Sequence, residues 1–556
     1  MSELERPSGE HTPQHGDSRA RAMAFGALTG LSLTAALLGV LFMLHRAAGL
    51  PFAPFVLFDW LARALPGAMV TLGIDTMVSA IRTLDIGNLS DVAKTAERLL
   101  SVALVVTAGT IAGAVVFAAT HTGRRAAMLL AVAAGTLLGL TVAAAGLSLG
   151  APVSGLALNV LAFVAWGLVL GWARHRLQAP VGTRHAQPER EAATGVDRPR
   201  PLHAEPIDRR SFVVRLAGAS AVITVAGAAV GTRLMGRETS YDPGTLWSAN
   251  NALPGAELEP APGTRPEFTP LSEHYRIDIN TSSPRVDADA WRLQVGGMVQ
   301  QPLQLSLDDL RAFAPMHQFI TLACISNPIA GDLIGTTRWS GVSLQRMLPD
   351  LALEPGASHL RISSADGFFE TLSLDVARAD PRVMLAYAWD GVPLTPEHGF
   401  PLRLYIPDRY GMKQPKWIER LEATAEWEPG YWVQRGWSRE ARIRTTSVID
   451  TVADYALVRQ DGGPPLVPIG GMAHAGARGI SRVEIRVDKG EWRPAELRRP
   501  LSDLTWVLWR YDWPFEEGSH AFTVRCFESD GTAQIAEQSP IRPDGATGLH
   551  EVRRSL

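Results

Sequence analysis

The chain has 556 residues, well above the ~100–200 of one ordinary domain, so it holds several folding units. Lys and Arg number 53 against 56 Asp and Glu, a formal charge of -3, which excludes a nucleic-acid binder held by phosphate neutralisation. Two cysteines exclude a disulfide-built scaffold and any four-cysteine zinc or iron–sulfur site.

Residues 1–21 read as a cytoplasmic tail, and residues 22–175 as a four-span membrane domain. Ala22 to His45 and Leu99 to Thr120 are tracts of 24 and 22 residues without Asp, Glu, Lys or Arg, each able to cross a bilayer. Ala126 to Ala173 runs uncharged for 48 residues, more than twice what a ~30 Å hydrocarbon core needs at ~1.5 Å per helical residue. It therefore folds back at Gly150, Pro152 and Gly155, giving spans near 126–147 and 153–173. Pro51 to Arg98, interrupted by Asp59, Arg63, Asp75 and Arg82, suits interfacial helices and stays outside the membrane core. Arg19, Arg21, Arg124, Arg125, Arg174 and Arg176 set a cytoplasmic start. Residues 176–210, rich in Arg, Pro, Glu and His, read as a disordered cytoplasmic linker.

Arg209-Arg210 then precede 17 uncharged residues, Leu216 to Thr232. Residues 211–233 read either as a twin-arginine export signal lying inside the chain or as a plain fifth span, and both readings put everything after Arg233 outside the cytoplasm. From there the composition is globular. Trp291–Val295, Phe319–Leu322, Val383–Tyr387 and Leu402–Ile406 are predicted strands, with Leu307–Phe313 and Leu344–Leu351 as short helices, an α+β domain over 245–445. Residues 446–545 read as a small β-sandwich: Val483, Ile485 and Val487 alternate with Glu484 and Arg486, and Phe522, Val524 and Cys526 with Thr523 and Arg525. Cys526 falls on the apolar face and reads as a core thiol.

Cys324 falls instead where an apolar run opens into a loop, a position that carries sites. Thr321-Leu322-Ala323-Cys324-Ile325-Ser326-Asn327, followed by Gly335-Thr336-Thr337-Arg338-Trp339-Ser340-Gly341, resembles the cofactor-ligand region of the sulfite-oxidase family of molybdopterin enzymes. His398-Gly399-Phe400-Pro401-Leu402-Arg403, and Tyr410-Gly411 through Lys416-Trp417, continue the resemblance in the family's order, over about residues 265–540. It implies an α+β sulfite-oxidase-like molybdopterin domain and an immunoglobulin-like β-sandwich of dimerisation type, which here follow the α-helical membrane domain read from the uncharged tracts. It also implies a molybdenum-molybdopterin cofactor. Cys324 would be the thiolate ligand of molybdenum, a role that suits a soft, deprotonated sulfur. Arg403 would hold the pterin phosphate through two donors, with His398 and Lys416 beside it. Arg276, Asn280, Asp366 and Gln414 fall near further cofactor contacts.

The chain departs from the family at two positions. Counting back from Pro284, Asp278 stands where sulfite oxidases carry a substrate-binding Arg, and Trp437 stands where they carry the active-site Tyr. A carboxylate repels sulfite unless it is neutralised, so sulfite is an improbable substrate. Arg338 and Arg435 are candidate sources of positive charge. The sequence has no Cys-x-x-Cys-His run, and His45, His121 and His175 lie at span ends, so electrons are expected to pass to or from a separate carrier, a cytochrome or a quinone-linked protein. The expected protein is a multi-pass cell-membrane enzyme with an extracytoplasmic molybdopterin domain, exchanging an oxygen atom with a small-molecule substrate and homodimerising through its β-sandwich. The competing readings are a non-catalytic surface protein that keeps the fold as a carrier for the β-sandwich and, last, a transporter built from the spans.

Overall fold

The computed structural model describes residues 15–84, 87, 89–119, 123–178, 209–235, 258–459 and 461–556. They fall into two compact units, one drawn from Met1–Ala64 and Ala96–Ser240, the other from Leu65–Thr95 and Tyr241–Leu556.

The helices in chain order are α1 (His15–Ala48), α2 (Ala53–Ala64), α3 (Gly67–Leu84), α4 (Leu89–Ala118), α5 (Arg124–Ser148), α6 (Val153–Gln178) and α7 (Arg209–Met235). Five helical stretches among the described residues are long and apolar enough to cross a membrane: Arg19–Ala48, Leu89–Ala118, Arg124–Ser148, Val153–Leu177 and Val214–Arg233. The long uncharged tract folds back where expected, with Gly150 at φ +75 between α5 and α6, a conformation that glycine adopts at no steric cost. Helices in such a setting approach through small residues. A Cβ on Gly113 would lie 2.3 Å from the Gly26 carbonyl oxygen, and one on Gly135 2.2 Å from that of Phe163. The expected linker falls largely outside the described residues, as does His121.

The expected membrane domain 22–175 is not one block. Residues Leu65–Thr95, which hold α3 and the first turns of α4, belong to the second unit. Ile81 and Leu89 are buried there in one cluster with Leu271, Tyr275, Cys324 and Leu333, and Met77, Val78 and Val92 pack against it.

That unit begins with two sheets. Their strands are β1 (Leu293–Gly297), β2 (Leu303–Leu305), β3 (Pro315–Ala323), β4 (Ile334–Ser343), β5 (His359–Ser364), β6 (Phe369–Ser373), β7 (Met384–Trp389), β8 (Val392–Pro393), β9 (Arg403–Tyr405) and β10 (Ile418–Thr424). One sheet has the order β2-β1-β10-β5-β6, with β1 and β10 parallel; the other runs β3-β4-β7-β8, with β9 also paired to β7. Leu293, Leu310, Leu344, Leu360, Leu385, Leu404 and Leu421 are fully buried in the core of this region. The predicted helix Leu344–Leu351 turns 3-10 after Met347, because Pro349 has no N–H to continue an α-helical ladder.

The β-sandwich follows, with strands β11 (Thr446–Val452), β12 (Leu466–His474), β13 (Ile480–Val487), β14 (Arg493–Pro494), β15 (Glu496–Leu497), β16 (Val507–Pro514), β17 (Ser519–Glu528) and β18 (His550–Ser555). They form two four-stranded sheets, β11-β12-β16-β15 and β14-β13-β17-β18. The alternation read from the sequence points inward: Val483, Ile485, Phe522, Val524 and Cys526 are all fully buried. The Cys526 thiol donates to Gln534 Oε1 at 3.3 Å.

The helix contacts yield a test in detergent. Gly113→Leu should lower the melting temperature of the solubilised chain by the equivalent of about 1–3 kcal/mol through overpacking against α1. The same change at Gly218, where an added Cβ meets nothing within 4 Å, should leave it unchanged or raise it, since leucine is the better helix former.

Candidate active site

Cys324 is the first residue after β3. Its N–H donates to the Leu333 carbonyl at 2.9 Å and its own carbonyl accepts from the Asn327 N–H at 3.0 Å, so the chain turns at once into a loop. Asn327 Oδ1 closes that loop by accepting from the Leu333 N–H at 2.9 Å. Ala330 sits at φ +61 within it, a strained conformation for a residue with a side chain. The sulfur is 3.0 Å from Ser326 Oγ. Burial raises the Cys324 pKa, and the Ser326 hydroxyl with the Ser326 and Ile325 N–H groups opposes it. Donors gathered on a buried sulfur are what a thiolate ligand needs.

Beside the same cluster lies a set of buried cations. Arg403 opens β9, is 4 % exposed and donates to the His398 carbonyl at 3.1 Å, with its guanidinium 4.7 Å from the centre of the Trp339 ring. It meets no carboxylate among the described residues, and burial pulls its pKa down to about 10. Lys416 donates to the Glu397 carbonyl at 3.0 Å and lies 4.3 Å from the centre of the Trp417 ring; Trp417 holds φ +50. Burial, against the pull of Asp278, lowers Lys416 to about 7.

His398 is held by two contacts. Its Nε2 lies 3.2 Å from the His274 carbonyl and so donates, which leaves Nδ1 to accept from Thr395 Oγ1 at 2.9 Å. Burial, then the neighbouring His274, Lys416 and Arg403, keeps it neutral. It orients Arg403 through its carbonyl and adds no charge of its own.

Asp278 has a fully buried side chain and is not the bare negative charge that the sequence suggests. Its Oδ1 lies 3.0 Å from Lys94 Nζ, and its Oδ2 lies 3.0 Å from Arg276 Nε and 3.6 Å from Lys416 Nζ. Burial pushes this carboxyl up, but Lys94, Lys416 and Arg276 together override it and hold it well below the usual carboxylate range. Asn280 enters through its carbonyl, which accepts from Lys94 at 3.0 Å. Asp366 is buried, accepts from the Phe368 N–H at 2.9 Å and acts electrostatically on Lys416. Gln414 Nε2 donates to the Arg409 carbonyl at 2.8 Å.

Lys94, Arg276, Arg403 and Lys416 thus outnumber the carboxylates of Asp278 and Asp366, an excess of buried positive charge. Isolated buried charge is costly, so the region suits an anion. Buried polar atoms without a partner also gather here: Arg276 Nη2, Gln414 Oε1, His274 Nε2, Trp339 Nε1 and Trp389 Nε1. Native interiors leave few such atoms unless something else satisfies them. A phosphate-bearing cofactor with many hydrogen-bonding edges, whose metal takes one protein thiolate, fits this set. Among the described residues no group of three or more His, Cys, Asp or Glu is placed to hold a metal ion unaided.

Several residues at the site escaped the sequence reading. His274 stacks on Tyr275 with ring centres 5.4 Å apart and meets Trp389 and His398 edge-on. Burial, then Arg403, lowers its pKa to about 3. Tyr275 is buried in the Cys324 cluster and interacts electrostatically with both Cys324 and Arg403. The only signal for either was adjacency to Arg276. Trp437 packs in a cluster with Ala323 and Ile325, the neighbours of Cys324, under the Arg542 guanidinium at 4.5 Å. Arg435 is taken up by Tyr431, at 3.6 Å from the ring centre. Arg338 donates no side-chain bond to the residues named here; its carbonyl accepts from the Asp390 N–H at 2.6 Å.

Comparison with known proteins agrees with the geometry. Residues 280–432 match the oxidoreductase molybdopterin binding domain. The chain is 34% identical over 151 residues to the uncharacterized oxidoreductase YuiH of Bacillus subtilis, covering 27% of this chain and 74% of that protein. It is 30% identical over 316 residues to human mitochondrial sulfite oxidase, covering 49% of this chain and 57% of the relative. It is 32% identical over 176 residues to the putative protein-methionine-sulfoxide reductase subunit YedZ1 of Azospira oryzae, covering 32% and 63%. The matches thus span between 57% and 74% of these relatives' lengths. The chain belongs to the sulfite-oxidase family of molybdopterin-dependent oxidoreductases, and its cofactor is molybdenum-molybdopterin.

The lowered Lys416 pKa has a consequence for stability in the chain prepared without cofactor. Below about 7 folded and unfolded chains both carry the ammonium ion, and the folded one bears the full cost of burying it. Above that pH the folded chain sheds the proton, while the unfolded chain keeps it to near ~10.4. The unfolded state then binds more protons, so this group's contribution rises with pH across that window. Melting temperatures between pH 6.5 and 10 should show this rise, and Lys416→Met should flatten it.

Proposed function

We propose that this protein is a membrane-anchored, extracytoplasmic molybdopterin oxidoreductase that reduces a small, uncharged oxygen donor such as a sulfoxide or an N-oxide. The observation that carries the reading is the excess of buried cations, with unpartnered polar atoms, in and around the packing cluster of one buried cysteine. When bound, molybdenum-molybdopterin supplies two-electron chemistry in which an oxygen atom moves to or from the substrate.

In this reading Cys324 ligates the metal, and the Ser326 hydroxyl and two loop N–H groups stabilise its thiolate. Arg403 and Lys416 bind the terminal phosphate, one through a planar fork and the other as a point charge. His398 stays neutral and holds Arg403 in place through its carbonyl. Arg276 and Gln414 offer a donor and an acceptor to the remaining cofactor edges. Tyr275, Trp339, Trp389 and Trp437 keep water from the site.

The direction and substrate class rest on Asp278. The resemblance assigns this position to an anion-binding arginine, but here a carboxylate spends neighbouring cations on itself and leaves none dedicated to sulfite. The YedZ1 relative, by its name, belongs with methionine sulfoxide reduction. Electrons would arrive from a separate cytochrome or quinone-linked carrier, and the β-sandwich would form a homodimer. The departures at Asp278 and Trp437 lean toward the non-catalytic alternative, but the buried cation excess argues against it, since a carrier of a β-sandwich has no use for one.

Metal analysis of the purified chain is the first test. Wild type should carry stoichiometric molybdenum, and Cys324→Ser should lose turnover and most of the metal, because an alcohol is a poor substitute for a thiolate. Equal metal and equal turnover in the variant would overturn the ligand assignment. Reduced viologen with methionine sulfoxide should be oxidised by the wild type at least tenfold faster than sulfite reduces ferricyanide; the opposite order would overturn the direction.

Placement is tested by protease added to intact spheroplasts. The domain should be digested in wild type, and protection would refute the extracytoplasmic reading. Arg209→Lys with Arg210→Lys then separates an export signal from a plain span, since only an export signal strands the domain inside.

A further inference from the structure

Lys94 lies in the first turns of α4, the helix that carries on to Ala118 as an apolar stretch long enough to cross a membrane. Its side chain is 9% exposed. The ammonium group donates to the backbone carbonyls of Asp278 and Asn280 at 3.0 Å each and pairs with Asp278 Oδ1 at 3.0 Å. Two of its protons are thereby directed at carbonyls of one short stretch of chain, residues 278–280, and its charge at the Asp278 carboxylate.

The segment around it is fastened at several further points. The Leu89 N–H donates to Asp332 Oδ2 at 3.0 Å, and the Arg276 N–H donates to Ser90 Oγ at 3.0 Å. On α3, Asp75 pairs with Arg542 at 3.6 Å, and Arg542 is the residue stacked on Trp437. Ile81 and Leu89 share the buried cluster of Cys324 and Tyr275. Leu65–Thr95 is thus built into the same packing as the proposed cofactor residues.

We infer that Lys94 is a positioning residue for the anion cradle: by taking Asp278 Oδ1, it spares Lys416 and Arg276 from having to satisfy both oxygens of that carboxylate, so that each keeps donors for the cofactor. The inference rests on the proposed assignment of the cradle and extends it to a helix outside the matched domain, residues 280–432. Asp278 Oδ1 belongs to Lys94, whereas Oδ2 is shared between Arg276 and Lys416. Without Lys94 the buried carboxylate has only those two cations to satisfy both oxygens. Lys416, at 3.6 Å, would close on it, and its charge would be lost to the phosphate. Cofactor retention is therefore coupled to the seating of the first turns of α4.

The test uses the full-length chain and reads molybdenum and pterin retained during dialysis, with limited proteolysis of the 65–95 segment in parallel. Lys94→Met should lose cofactor on the order of tenfold faster than wild type, as expected for one partner of a buried ion pair removed. Lys94→Arg should stay close to wild type. The double variant Lys94→Met with Asp278→Asn should recover most of the retention, because it removes the unpaired carboxylate along with the lysine. A role in packing alone makes the opposite prediction, with the double variant as leaky as the single or worse. Retention in Lys94→Met equal to wild type, or failure of the double variant to recover, would overturn the inference. If Lys94→Met does not fold, the double variant decides: a folded, loaded protein supports the inference, and an unfolded or empty one refutes it. A wild type without molybdenum would instead refute the functional reading itself, so the two failures are distinct.

Discussion

One buried carboxylate organises the charged interior of this protein. The Asp278 side chain is fully buried and sits among Lys94, Arg276 and Lys416. In water such pairs contribute little; buried, each ion requires a partner of opposite sign or an anion from outside. Asp278 and Asp366 answer part of that requirement. The part left over, concentrated on Arg403 and Lys416, is what supports the proposal of an anion site rather than a closed ion-pair network.

The geometry divides the labour between two kinds of element. The β3-to-loop corner presents Cys324 by ending a strand and turning sharply, so the sulfur emerges from a rigid sheet with local donors around it. The cations come from distant segments: Lys94 from α4, Arg276 from the stretch before β1, Arg403 from β9, and Lys416 from just before β10. Such a set exists only when the whole unit is assembled. Tyr275, coupled electrostatically to both Cys324 and Arg403, stands where the two kinds of element meet.

The indole rings contribute more than bulk. Trp339 and Trp417 each carry a buried cation on their face, a contact that partly replaces lost hydration. It lets Arg403 be buried without a carboxylate at contact distance, and it supports Lys416 beside the Asp278 carboxylate that it shares with Arg276 and Lys94. An aromatic support leaves a cation available to a ligand; an acidic partner does not.

The sequence by itself determined the long apolar helices, the fold-back at Gly150, the inward faces of β13 and β17 and the corner at Cys324. Each of these depends on periodicity, local turn chemistry or a contiguous run, and such signals are written along the chain. Only the tertiary structure decided the meaning of Asp278, which alone looks like a reversed charge and in place is a neutralised hub. It also grouped residues 65–95 with the unit that holds Cys324. His274, Tyr275 and Lys94 became visible for the same reason. Burial and ion pairing depend on distance in space, and Lys94 and Asp278 are 184 residues apart in the chain but 3.0 Å apart in the fold.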